Sequence, residues 1–219
     1  MCGIYGATTR EQFITLQKLN RNRGDFSQGC MYIKPDKGFE VHKIPKKLIA
    51  EYNPPKRKKF DYYLGHSQAP TSGKRVFDPN TTHPFMVENW VVAHNGVLTN
   101  FKNLVNEFER PYENPVDSSI IPYIFYKLQD SFANEIDVIV KGLEYLEGTF
   151  GLWIHNTETG STFLAKCGVT LFADVYDNAF SSVCHNSLES LEEGTLYQLT
   201  KEGITGVATF DCDSPFFTV

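Results

Sequence analysis

Long apolar runs are missing from this sequence. No window approaches the roughly 18 consecutive apolar residues that a membrane-crossing helix needs. The start, Met1-Cys2-Gly3-Ile4-Tyr5, has neither the basic opening nor the apolar stretch of a secretory signal. A cytoplasmic protein with no membrane partner is expected. Paired cysteines are missing as well. Cys2, Cys30, Cys167, Cys184 and Cys212 are odd in number and scattered, with no CxxC. That spacing signals neither a zinc site nor a disulfide framework, and the last four read as small buried hydrophobes. A phosphate loop, a GxGxxG turn and an HExxH helix are all absent, so no cofactor and no metal are expected.

What is there suits a single domain over 1–219, since 41 % hydrophobic and 21 % charged residues are ordinary globular values. Charge is uneven. Residues 1–75 hold 15 Lys and Arg against 6 Asp and Glu, whereas the rest hold 6 against 20. The basic peak, Lys56-Arg57-Lys58-Lys59, reads first as a solvated loop, so nucleic acid is not an expected partner. It lies in 34–60, a Lys- and Pro-rich excursion.

Helix signals come in blocks. Thr9 to Gln12 is a capping box ahead of Phe13, Leu16 and Leu19, and the helix ends before Asn22. Thr99 or Asn100 would cap a helix through Phe108. Asp117-Ser118-Ser119 opens another, with Pro122 tolerated in its first turn. Asn134 caps a fourth, stopped by Gly148. Strand signals fall at 29–33, 62–66, 90–94, 150–155, 162–166, 170–176, 179–183, 195–200 and 203–208. Blocks of antiparallel strands with separate helices predict α+β layers, not βαβ units.

Five segments carry chemistry. The first is Cys2. Once Met1 is removed, Cys2 carries both a thiol and a free α-amine, whose ordinary pKa values are about 8.5 and about 7.7–8.0. Nucleophile and general base then share one residue. His94-Asn95-Gly96 is the second. An Asn amide and a Gly N–H can both donate to the oxyanion of a tetrahedral intermediate, although Asn-Gly between strands is also a hairpin signal. The third is the loop from Asn22-Arg23-Gly24 to Gly29, and the fourth is Gly65-His66-Ser67-Gln68 through Thr71 to Gly73. The fifth is Asp117, which a helix N-cap would also explain.

Together, in this order and spacing, these segments resemble the class II glutamine amidotransferase family. Met1-Cys2-Gly3-Ile4 is similar to its MCGI start and Arg23-Gly24 to Gly29 to its RG-x-D-x-x-G loop. Gly65-His66 to Gly73 is similar to GHTR-x-x-T-x-G. His83-Pro84-Phe85 with His94-Asn95-Gly96 resembles the HPF…HNG pair, with Asn100 following. Asp117-Ser118 resembles the (S/T)D(S/T)E element, and Leu146 to Phe150 the LxGxF segment. The resemblance covers essentially the whole chain. It implies a four-layer αββα sandwich of two antiparallel sheets, of the N-terminal-nucleophile (Ntn) hydrolase type. It implies that Cys2 forms a γ-glutamyl thioester with glutamine, with Asn95 and Gly96 as the oxyanion hole. Asp117 would hold the substrate ammonium, and Arg23 would order the Cys2 strand. His94, Gln68 and Thr71 would face the substrate. Ammonia would pass to an acceptor reaction on a separate synthase subunit.

The chain departs from the pattern at several positions: Asp25 comes one place early in its loop, Ser119 stands where the (S/T)D(S/T)E element has its acid, and Ala69 stands where an aromatic residue is common. The family's arginine for the substrate carboxylate is Gln68, which supplies no charge. Either Lys74 or Arg75 takes that role, or the substrate is another γ-glutamyl or amide compound. A non-catalytic binding module of the same fold is the third alternative. Cys2, Asn95, Gly96 and Asp117 occurring together argue against it.

Overall fold

The computed structural model describes residues 2–45, 54, 61–69, 78–111 and 114–212. Thirteen strands and four α-helices follow in chain order: β1 Gly3–Ala7, α1 Arg10–Arg21, β2 Ser27–Ile33, β3 Phe39–Ile44, β4 Tyr62–Gln68, β5 Phe85–Val87, β6 Trp90–Leu98, α2 Phe101–Glu107, α3 Ile121–Leu128, α4 Glu135–Glu144, β7 Gly148–Asn156, β8 Thr162–Cys167, β9 Phe172–Asp174, β10 Ala179–Ser181, β11 Glu189–Ser190, β12 Thr195–Thr200 and β13 Gly203–Thr209.

Two antiparallel sheets result. The first has the order β11-β9-β10-β1-β4-β2-β3, and the second β13-β12-β8-β7-β6-β5. Alternation along each strand sends side chains to opposite faces. Ile4, Met31 and Leu64 of the first sheet meet Val91, Ala93, Trp153 and Leu164 of the second in a shared core. Tyr5, Tyr32 and Tyr63 point the other way and pack on Phe13 and Leu16 of α1. On the outer face of the second sheet, Val92, Leu152 and Ile154 bury Ile124 and Phe125 of α3 and Ile139 and Leu143 of α4. This is the expected αββα sandwich, with the Trp153 indole N–H donating across the middle to Gly65 O at 3.1 Å.

Local chemistry sets the helix ends. Thr9 is extended, and its Oγ1 accepts the N–H of Gln12 at 3.3 Å. Asn134 Oδ1 likewise accepts from Asp137 N at 2.9 Å. Such caps are worth about 1 kcal/mol each. Other predicted ends shift. Asn100 precedes α2 but does not cap it. Its amide instead donates to Tyr145 O and accepts from Glu147 N. Asp117 starts a 3-10 turn, 117–120, that runs into α3. Gly148 opens β7 rather than stopping α4, which ends four residues earlier. The segment 34–60, read as an excursion, contains β3; the basic Lys56–Lys59 run lies outside the described residues.

The cysteines require a correction. Cys167 is bonded to Cys212, across a sequence separation of 45. Cys30 is buried and free, whereas Cys184 is free and exposed. The Cys167–Cys212 bond ties the end of β8 to the chain beyond β13. Replacing both by Ser is expected to cost about 2–4 kcal/mol under oxidising conditions. Chemical denaturation with and without a thiol reductant checks this, because the reductant should remove most of the difference. Among the described residues, no helix is long and apolar enough to cross a membrane.

Candidate functional site

Cys2 immediately precedes β1, is buried and forms no disulfide. Its Sγ lies 3.6 Å from Ala69 O, at the end of β4. The pairing of β1 with β4, Gly3 opposite Ser67, brings those chain ends together. Gly24 lets the loop after α1 pack against the same end of β4. A Cβ there would lie 2.4 Å from the Ala69 nitrogen, far inside contact distance. Met1 lies outside the described residues.

Arg23, just past α1, clamps this end of the sheet. Its Nε donates to Cys2 O at 2.9 Å, and one terminal nitrogen donates to Thr170 Oγ1 and Ser182 O, each at 3.0 Å. Burial lowers its pKa and the adjacent Cys2 opposes that, but a guanidinium remains charged in any case. A fixed cation beside the Cys2 thiol favours the thiolate.

Ser182, which nothing in the sequence singled out, joins the two sheets here. Its Oγ accepts Ile4 N at 3.0 Å and Asn95 Nδ2 at 3.3 Å. Thr170 Oγ1 donates to its carbonyl at 2.9 Å. Ser182 is fully buried, so the start of β1, the Arg23 clamp and the Asn95 amide share one rigid partner. Asn20 supports it from α1 by donating to Ser181 Oγ at 2.8 Å.

Asn95 and Gly96 are not a hairpin turn. They lie within β6, opposite Gly151 and Phe150 of β7. Asn95 follows Val91 and Ala93 on the inter-sheet face, towards Ser182. Gly96 passes so close to β7 that a Cβ would sit 1.9 Å from Thr149 O. Only glycine allows the strand to run here with its backbone half-exposed.

His94 occupies the other face of β6, under the helices. Its Nε2–H donates to Thr149 O at 3.2 Å, and Nδ1 lies 2.8 Å from Ser118 Oγ. Burial lowers its pKa, against the opposing pull of Asp117. The ring is therefore neutral at pH 7, with Nδ1 accepting from Ser118. Next to it, Asp117 Oδ2 accepts Leu98 N at 2.9 Å and Oδ1 accepts Ser118 N at 2.8 Å. Those two bonds fix the half-exposed carboxylate beside Leu98, at the end of β6, and leave it lone pairs for a cation. His66 completes the link between sheets, its Nε2–H donating to His94 O at 3.1 Å.

The structure therefore brings Cys2, Arg23, Asn95, Gly96 and Asp117 to one end of the sandwich. Two predicted substrate contacts are placed differently. Gln68 is buried, its Oε1 accepting from Ser27 Oγ and its Nε2 near Thr81 O at 3.5 Å. His94 is enclosed beneath the 117–120 turn. Thr71, Lys74 and Arg75 lie outside the described residues. Among the described residues, the cluster with metal-ligand spacing is Cys167, Glu193 and Cys212, whose two sulfurs are bonded to each other.

No family model matches the chain. It is 25 % identical over 207 residues to the glutamine–fructose-6-phosphate aminotransferase (isomerizing) of Oceanobacillus iheyensis, covering 90 % of this chain and 34 % of that protein. The chain spans about a third of the length of the curated relatives it matches. Among solved structures, the glutamine phosphoribosylpyrophosphate amidotransferase of B. subtilis superposes with a TM-score of 0.73 at 17 % identity, over 94 % of this chain and 49 % of that one. A glutamine aminotransferase class-II domain protein from Silicibacter pomeroyi has a TM-score of 0.60 at 12 % identity, covering 96 % of this chain and all of its own.

Proposed function

From its kinship with the class II glutamine amidotransferases, we propose that this chain hydrolyses the side-chain amide of glutamine through Cys2. The reading rests on one arrangement: Cys2, Arg23 and Asn95 converge on Ser182, within reach of a strand that offers Gly96 N–H. With Met1 removed, the α-amine of Cys2 takes the thiol proton, directly or through one water. The thiolate adds to the substrate Cδ. The carbonyl oxygen becomes an oxyanion, met by Asn95 Nδ2–H and Gly96 N–H. The ammonium formed on Cys2 returns its proton to the departing nitrogen, and ammonia leaves. A γ-glutamyl thioester remains. Water attacks it with the same amine as base, releasing glutamate and restoring the thiol. No metal or organic cofactor enters any step.

Asp117 is assigned the substrate ammonium. Arg23 and His94 are positioning residues: Arg23 fixes the Cys2 carbonyl, and His94 fixes the turn that carries Asp117. The ammonia is assigned to an acceptor reaction on a synthase partner, and the site to the cytoplasm. We assign the whole chain to one glutaminase domain.

Labelling tests this. A glutamine-like electrophile such as diazo-oxo-norleucine should modify Cys2 alone, and glutamine should protect it. Labelling elsewhere, or none on protein whose intact mass shows that Met1 is gone, would overturn the assignment.

A second reading is favoured by Gln68. Its amide is engaged by Ser27 and Thr81, and it supplies no charge for an α-carboxylate. The substrate would then be a γ-glutamyl or amide compound other than free glutamine. Turnover of such a compound, with labelled Cys2 and no glutaminase activity, would decide for it.

A further inference from the structure

Cys2 stands before β1. The residue after β1, Thr8, lines a separate cavity at the opposite end, about 20 Å away at ~3.3 Å per residue. Its volume is about 440 Å³, within the range of small-molecule sites. Ile33, Tyr62 and Leu199 give it apolar walls drawn from both sheets.

Its polar groups fall into two sets. Lys34, Lys37 and Lys201 stand around it. Lys34 is shared with Glu40 at 3.0 Å. Among the described residues, the exposed ammonium groups of Lys37 and Lys201 have no ion-pair partner. The other set accepts hydrogen bonds. Asn178 is 94 % buried (6 % exposed) and lines the cavity. It is held rigidly, with Nδ2 donating to Thr200 O at 2.8 Å and its carbonyl accepting from the Tyr62 hydroxyl. That leaves Asn178 Oδ1 buried with no partner. A buried acceptor without a donor is costly, and a ligand hydroxyl or amine that reaches Oδ1 would satisfy it. The Asp61 carboxylate also lines the cavity and favours a donor over a second anion.

We propose that this cavity binds a small phosphate monoester bearing hydroxyl or amino donors, the phosphate between Lys37 and Lys201 and the donors on Asn178 and Asp61. Nothing in this assignment involves Cys2. It therefore stands or falls separately from the proposed glutaminase activity.

Isothermal titration with ribose 5-phosphate and AMP, against ribose and inorganic phosphate, tests it on the full chain. At least one ester should bind saturably, and unphosphorylated ribose should not. Lys37→Glu with Lys201→Glu, both at exposed positions and safe for folding, should weaken binding about tenfold or more, the loss of a charge-assisted hydrogen bond. Cys2→Ala should leave it unchanged. Failure of both esters to bind, an equal affinity for inorganic phosphate, or indifference to the double charge reversal would each overturn the proposal.

Discussion

Cys2→Ala is expected to abolish glutamine hydrolysis, a loss on the order of 10⁴-fold or more in kcat, as for other nucleophile deletions. The fold should survive. The contact of Cys2 Sγ with Ala69 O is long, 3.6 Å, and the Arg23 clamp holds the backbone carbonyl, which the substitution keeps. Thermal unfolding should therefore shift little, which separates lost chemistry from lost structure. No other thiol can substitute. Cys30 is buried and its pKa is pushed up to about 12, chiefly by burial, so at neutral pH it remains protonated. Cys184 is exposed and internal to the chain, so it carries no free α-amine to act as its base. A second form gives an independent check. Protein that retains Met1 keeps the thiol but has its amine acylated, and it should be as inactive as the variant. Activity against pH follows from the same base. The amine accepts a proton only when uncharged, so kcat/KM should rise through roughly pH 7–8 as it deprotonates. Burial lowers the pKa of His94 below its ordinary value, so His94 is already neutral there and does not set that limb. Measurable turnover by Cys2→Ala would place the nucleophile elsewhere.

How much of this was legible in sequence depends on how local each signal is. Thr9 and Asn134 announced their helices because a cap and its partner lie three residues apart. Cys2, Arg23, Asn95, Gly96 and Asp117 were legible as an ordered set of short segments, and the αββα layers followed from that resemblance. Residues whose roles depend on distant contacts were not. Ser182 reads as an ordinary serine near the end of a strand. Its importance comes from Ile4, 178 positions away, and Asn95, 87 away. The Cys167–Cys212 bond spans 45 positions with nothing between to suggest it. Asn95-Gly96 carried a turn signal that tertiary pairing overrode, since β7 supplies a partner for every residue of β6. Period-two alternation then decides which neighbour reaches the site. Asn95 faces the inter-sheet space, while His94, one residue earlier, is turned to the helices. Gln68 was flagged as a missing charge. That its amide would be engaged by Ser27 needed the β2–β4 register.

Asn95→Ala is expected to lower kcat by about 10²–10³, or roughly 2.7–4 kcal/mol of barrier, with KM changed little. The oxyanion exists only in the transition state, so losing its donor leaves ground-state binding intact. In the free protein, one Asn95 N–H donates to Ser182 Oγ at 3.3 Å. The amide has a second N–H for the oxyanion, and the Ser182 contact fixes its direction. Asn95→Asp, of similar shape but accepting where Asn donates, should be at least as damaging. Ser182→Ala supplies the contrast. It strands the buried Ile4 N–H, so it should cost about 1–3 kcal/mol of stability and lower kcat less than Asn95→Ala, because the oxyanion donors remain but are less well held. The two variants should therefore reverse their order between assays, Asn95→Ala worse in turnover and Ser182→Ala worse in denaturation. If Asn95→Ala instead raised KM while kcat held, the amide would be a substrate-binding group, and the oxyanion would have to rely on Gly96 N–H and some other donor.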